Sequence, residues 1–226
     1  MRLGVVMDPI GSINIKKDTT FAMLLEAQSR GWELFYMEQQ DLYLINGTAK
    51  ATYKPLTVQR DEKSWFTLGE PIDDVMSQMD AVLMRVDPPF NMNFVYTTYV
   101  LEQAESDGVL VVNKPQSLRD ANEKLFTAWF PDCCSPTLVT SQTQRIKDFL
   151  LEHEDIIVKP LDGMGGASIY RLKKADHNLG VVLETMTNHG KELTMVQRYL
   201  PEIKQGDKRI LIVNGQPVPY ALARIP

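Results

Sequence analysis

The sequence predicts an α/β protein: a mostly parallel sheet with helices on its faces, followed by a second, smaller α+β unit. Three observations predict it. Strand-like and helix-like runs alternate over residues 3–112, which implies parallel strands joined by helical crossovers. The pattern changes near Gln116. Two Asn-Gly dipeptides, Asn46-Gly47 and Asn214-Gly215, each sit between strand-like runs and mark hairpins with type I′ turns.

In order, residues 3–7 read as a short apolar strand. Asp18-Thr19-Thr20 offers a cap for a helix over 21–29, which Gly31 stops before a strand at 32–37. Residues 42–45 and 48–53 form the first hairpin. A strand at 80–85, a helix at 94–105 closed by Gly108 and a strand at 109–112 follow. A helix is expected from about 117 to 130, carrying Arg119, Asp120, Glu123 and Lys124, and 131–136 reads as a linker. Beyond it lie a strand at 137–140, a helix at 143–152, a strand at 155–159, a helix at 179–187 and a strand at 193–198. A polar connection at 201–206 leads to the second hairpin, 208–213 and 217–223.

The chain of 226 residues is long enough for a sizeable core, and 44% hydrophobic and 23% charged residues are ordinary globular values. A net charge of −5 argues against a general nucleic-acid binder while leaving room for a local basic pocket. No apolar run approaches a membrane span, and the first residues read as a strand rather than a signal peptide, so a cytoplasmic location is expected. Cys133 and Cys134 are adjacent, which disfavours a disulfide between them, and His153, His177 and His189 show no zinc spacing. The methionines read as core filler.

The richest chemistry lies at Ile156-Ile157-Val158-Lys159-Pro160-Leu161-Asp162-Gly163-Met164-Gly165-Gly166-Ala167-Ser168. A β-branched run ends in a lysine and breaks into a glycine loop, a pattern suited to a polyphosphate: a fixed charge at the strand end, then backbone N–H groups that approach phosphate oxygens without a Cβ in the way. A Walker A loop would need Lys-Ser/Thr after its last glycine, and a dinucleotide fingerprint would need Gly or Ala at 168 and a helix opening there. Residues 168–172 read as a strand instead, which makes the loop a hairpin flap. Lys124 is a second cation that a strand and a helix can bring to the same cleft. Gln197-Arg198-Tyr199-Leu200-Pro201 leaves a strand in extended form, able to offer backbone groups to an adenine edge. Asp207-Lys208-Arg209 and Arg224 lie on the second hairpin, where two guanidinium groups suit a developing phosphoryl charge. Arg85 and Asp87, at a strand exit closed by Pro88-Pro89, mark a substrate position or a rigid turn.

The chain resembles the bacterial glutathione synthetases of the ATP-grasp superfamily over its whole length. The resemblance is carried by Val6-Met7-Asp8-Pro9-Ile10 and Asn14-Ile15-Lys16-Lys17-Asp18; by Leu42-Tyr43-Leu44-Ile45-Asn46-Gly47 and Asp87-Pro88-Pro89-Phe90; by Val112-Asn113-Lys114-Pro115-Gln116-Ser117-Leu118-Arg119-Asp120 and Asn122-Glu123-Lys124-Leu125-Phe126; and by the flap, Gly206-Asp207-Lys208-Arg209 and Pro219-Tyr220-Ala221-Leu222-Ala223-Arg224. It implies an N-terminal substrate-binding domain over 1–121 and an ATP-grasp domain over 122–226, incomplete at its C-terminal end. The implied reaction is ATP-dependent joining of γ-glutamylcysteine to glycine through an acyl phosphate. Another ATP-grasp carboxylate–amine ligase and a nucleotide-binding module without turnover are the alternatives. The resemblance further implies that Lys124, Lys159, Gly163, Gly165, Gly166, Ser168 and Asp207 serve ATP, and that Gln197, Arg198, Tyr199 and Leu200 form the adenine segment. Arg209 and Arg224 would stabilise charge in catalysis, and Arg85 and Asp87 would bind the dipeptide. Mg²⁺ is implied with ligands beyond residue 226, where the family continues with a mobile loop and a final segment, so the chain is expected to be part of a longer protein. Assembly as a homo-oligomer, a tetramer in the family, is implied too, with neither nucleic acid nor membrane as partner.

Overall fold

The computed structural model describes residues 1–162 and 165–225, in two compact units, Met1–Asn122 and a second beginning at Glu123. In the first, β1 (Arg2–Met7) leads into α1 (Thr19–Ser29) and β2 (Glu33–Met37). β3 (Leu42–Ile45) and β4 (Thr48–Val58) form the first hairpin, whose turn residues Asn46 and Gly47 both have positive φ, as a type I′ turn requires. Two strands absent from the sequence reading, β5 (Phe66–Leu68) and β6 (Ile72–Val75), pair with the long β4. β7 (Ala81–Arg85), α2 (Met92–Ser106), β8 (Leu110–Val112) and α3 (Pro115–Asp120) complete the unit.

The sheet order is β3-β4-β2-β1-β7-β8, with β2, β1, β7 and β8 mutually parallel and the β4 region antiparallel. Alternation along β1 explains why nearly all of it is buried. Leu3, Val5 and Met7 face a cluster with Phe21 and Leu24 of α1, while Val6 faces the opposite cluster with Phe94 and Leu101 of α2. Each such fully buried apolar side chain contributes about 1.5–3 kcal/mol. Asp18 caps α1 by accepting the Phe21 N–H at 2.6 Å, and Asn91 caps α2 by accepting that of Phe94 at 3.0 Å.

The helix expected over 117–130 is not continuous. α3 stops at Asp120, Ala121 leaves helical geometry at φ −109° and ψ 71°, and only a 3₁₀ segment, Leu125–Trp129, follows. Within that segment Phe126 stacks on Trp129 and meets Phe130 edge-on. Lys124 therefore stands on a bend rather than on a helix face.

The second unit is built on β9 (Thr137–Thr140), α4 (Thr143–His153), β10 (Asp155–Pro160), β11 (Tyr170–Lys173), α5 (Leu179–Met186) and β12 (Thr194–Arg198). The four strands form an antiparallel sheet in the order β11-β10-β12-β9. Ile156, Val158, Leu172 and Val196 bury one face against Ile146 and Leu150 of α4 and Leu183 of α5. β13 (Asp207–Val213) and β14 (Gln216–Arg224) form the second hairpin, again through two positive-φ residues, Asn214 and Gly215.

Candidate functional site

In the first unit, β1 feeds α1 toward β2 while the neighbouring β7 feeds α2 toward β8, so the strand order reverses between β1 and β7. The carboxyl ends of the two strands open there into a crevice, the position at which such sheets bind ligands. The cavity is about 800 Å³ and is lined by Asp8, Ser12, Asn14, Asp18, Arg85, Asp87 and Asn113, among others. Both sequence-predicted residues are on its wall. Arg85 donates through Nε to the buried Thr20 hydroxyl at 2.9 Å, and the Asp87 N–H donates to Asp8 Oδ2 at 2.8 Å. Thr20 and Asp8 thus set the positions of the two. Sequence reading took Thr20 only as part of a cap, because its partner lies 65 residues away.

In the second unit, the register of the four-stranded sheet decides which residues meet. Lys159 pairs with Met195, Ile157 with Gln197 and with Arg171, and Gln197 with Thr137. Directly paired residues share a face, so Lys159, Gln197, Arg171, Asp155 and Thr137 all lie on the face opposite α4 and α5. Gln197 is fixed there by donating to the Thr137 hydroxyl at 2.9 Å. Arg198 belongs to the other alternation, opposite Ile156 on the helix-covered face, so its side chain is separated from Gln197. Tyr199 extends the ladder through its N–H to the Asp155 carbonyl at 2.9 Å, and Leu200 is exposed beyond it.

Lys159 is half-buried, and its pKa lies below the ordinary lysine value because burial strips water from the ammonium and the Lys124 charge stands nearby; Cys134 opposes the shift weakly. The two sequence-predicted lysines are therefore close enough to repel one another. Lys124 is itself mostly covered and pairs with Glu123 at 2.6 Å. Gly165, Gly166 and Ser168 follow with φ of 71°, 79° and 56°, left-handed backbone that favours glycine at the first two. Gly163 lies outside the described residues. A desolvated cation pair beside such a loop fits the phosphates of a nucleotide.

On the second hairpin, Asp207 pairs with Arg224 and Arg209 with Leu222, so both arginines share a face. Arg224 grips Asp207 with two bonds of 2.6 Å, which holds the Asp207 carboxyl below the usual carboxylate range. Asp207 is thus a partner of Arg224. Among the described residues no group of three or more His, Cys, Asp or Glu side chains is arranged to hold a metal ion, so no Mg²⁺ site is assigned within them.

Comparison with known proteins decides the family. Residues 1–119 match the prokaryotic glutathione synthetase N-terminal domain, and residues 123–226 match the ATP-grasp domain of the same enzymes. The chain belongs to the prokaryotic glutathione synthetases. Glutathione synthetases of Citrobacter rodentium and Escherichia coli K12 are each 60% identical over the whole chain, which spans 72% of their length. That of Pseudomonas putida is 60% identical, with 71% of its length covered. Among solved structures, the D-cycloserine synthetase DcsG aligns over 100% of this chain and 72% of its own, with a TM-score of 0.63 and 17% identity. A RimK-domain ATP-grasp protein of Sphaerobacter thermophilus aligns over 93% and 69%, with a TM-score of 0.60 and 16% identity. These two share the fold. The glutathione synthetase family assignment agrees with the expected fold class, an α/β domain followed by an ATP-grasp domain, and with ATP-dependent ligation.

Proposed function

We infer that this chain binds ATP on the lysine-bearing face of its ATP-grasp unit and uses it to join γ-glutamylcysteine to glycine, giving glutathione, ADP and phosphate. The observation that carries this reading is the half-buried Lys159 held beside Lys124, on the same sheet face as Gln197. A lysine kept partly out of water beside a second lysine, itself paired with Glu123, carries a cost that polyanionic phosphates would offset.

A carboxylate is a poor electrophile because oxide is a poor leaving group, and transfer of the γ-phosphoryl group onto the C-terminal carboxylate oxygen of the dipeptide removes that obstacle. The glycine amine then attacks the acyl carbon, the bond to the phosphate oxygen breaks, phosphate departs and the nitrogen loses a proton. Lys124 and Lys159 would hold the phosphates, with Gly163, Gly165, Gly166 and Ser168 closing over them. Tyr199 and Leu200, with Gln197, would hold the base. Arg209 and Arg224 would face the charge that develops on the transferring group, and Asp207 would hold Arg224 in place. The cavity at Arg85 and Asp87 would take the dipeptide, the guanidinium receiving a carboxylate. Catalysis is then chiefly positioning and electrostatics. No step is assigned to Mg²⁺.

The 1–121 and 122–226 division is read as substrate and nucleotide domains, and the protein as a cytoplasmic homo-oligomer; no helix among the described residues is long and apolar enough to cross a membrane. The deciding assay follows phosphate release from ATP and Mg²⁺ with each substrate omitted in turn. Release that needs both γ-glutamylcysteine and glycine supports the reading. Equal release with an unrelated acid would transfer the chain to another ligase, and nucleotide binding without release would make it a non-catalytic module.

A further inference from the structure

One cluster in the second unit is not used by this reaction scheme, although it touches the segment assigned to the base. Asp155 opens β10, and its carboxylate takes two bonds from the Arg171 side chain of β11, from Nε at 2.9 Å and from a terminal nitrogen at 2.6 Å. The Asp155 carbonyl accepts the Tyr199 N–H at 2.9 Å. The Arg171 guanidinium carbon stands 3.6 Å from the centroid of the Tyr199 ring. One residue thus ties down the backbone of Tyr199, while the arginine it clamps covers one face of the ring.

We propose that Arg171, clamped by Asp155, is a positioning residue that fixes the Tyr199 ring at the base-binding end of the nucleotide face. This rests on reading Gln197–Leu200 as the adenine segment. Tyr199 follows the last residue of β12, its N–H still bonded to the Asp155 carbonyl and its ring covered on one face by Arg171. A planar guanidinium fixed in orientation by a bidentate carboxylate is a rigid surface that selects one ring orientation, leaving the opposite face for a base. Lysine cannot substitute fully, since it lacks the fork that Asp155 engages. The Asp155 backbone carbonyl is untouched by a change of side chain, which separates the clamp from the ladder.

The experiment measures KM for ATP, KM for γ-glutamylcysteine and kcat in the purified enzyme carrying Arg171→Met, Asp155→Asn, both together, Arg171→Lys, Tyr199→Leu and Lys159→Ala. Arg171→Met and Asp155→Asn should each raise KM for ATP about three- to tenfold, with kcat and the dipeptide KM unchanged. The double variant should be no worse than the worse single one, because the two side chains act as one device. Arg171→Lys should fall between, since it keeps the charge without the fork. An unchanged KM for ATP in Arg171→Met, additive losses in the double variant, or parallel shifts in both KM values and kcat would overturn the proposal. If Tyr199→Leu leaves KM for ATP unchanged while Lys159→Ala raises it, the adenine-segment reading fails, and the proposal with it.

Discussion

The Lys159 neighbourhood and the β13–β14 hairpin both carry paired cations predicted to meet phosphate, yet they hold them in opposite ways. Lys159 is half-buried beside a second lysine, and its charge is maintained at a cost. Arg224 stands on an exposed hairpin with its charge already met by Asp207. Within this chain, which covers 72% of its relatives' length, Ile210 is 60% and Leu222 61% exposed, whereas Ala51 and Tyr53 of the first hairpin are 0% and 1% exposed. The same Asn-Gly turn builds both hairpins, so the turn governs local pairing and the neighbours govern burial. The lesson for the site is that a cation gains selectivity for an anion where water has been removed from it, and needs an external positioning partner where it has not.

Lys159→Ala tests this contrast most severely. It should lower kcat/KM for ATP by about two to three orders of magnitude, the usual cost of one preorganised charge in such a site. Arg224→Met should lower kcat by about ten- to a hundredfold while leaving the melting temperature nearly unchanged, because an exposed ion pair contributes little to stability. A large melting shift there would erase the distinction between the two regions. Gly206→Ala probes the hairpin base by calorimetry. Gly206 has φ of 96°, and a Cβ would fall onto the Arg224 carbonyl oxygen, so a loss of about 2–3 kcal/mol is expected. Gly166→Ala, at φ 79° with open space around its Cβ position, should cost only about 1 kcal/mol.

The smallest effect is on pH dependence, with a definite sign. Because the folded pKa of Lys159 lies below that of the unfolded chain, the unfolded state binds more protons between the two values, and its share of stability rises with pH across that window. Lys159→Met should therefore raise the melting temperature of the nucleotide-free protein at neutral pH. The gain should shrink as pH climbs toward the ordinary lysine value. A gain that stays constant with pH would mean that packing, not charge, causes it.

Much of the fold was legible. Hydrophobic alternation and Asn, Gly and Asp at fixed offsets mark β1, α1, both hairpins and the strand–loop at Lys159, because these features are decided within a few residues. β5 and β6 were not legible, being three and four residues long and stabilised only as partners of β4. The helix expected through Lys124 breaks at Ala121, and no Gly or Pro between Asp120 and Lys124 marks that stop locally, so the sequence pattern did not show it.

By itself the sequence determined which residue types are available to the site: a lysine at a strand end, a glycine flap, an extended Gln197–Leu200 segment and a pair of hairpin arginines. It also determined the parity that turns Lys159 one way and Val158 the other. Only tertiary structure decided that Lys159 and Gln197 share a face with Arg171, that Arg198 does not, and that Lys124 comes near enough to lower the Lys159 pKa. The reason is that alternation along a strand is a local property of the backbone, whereas strand pairing and loss of water depend on segments tens of residues apart.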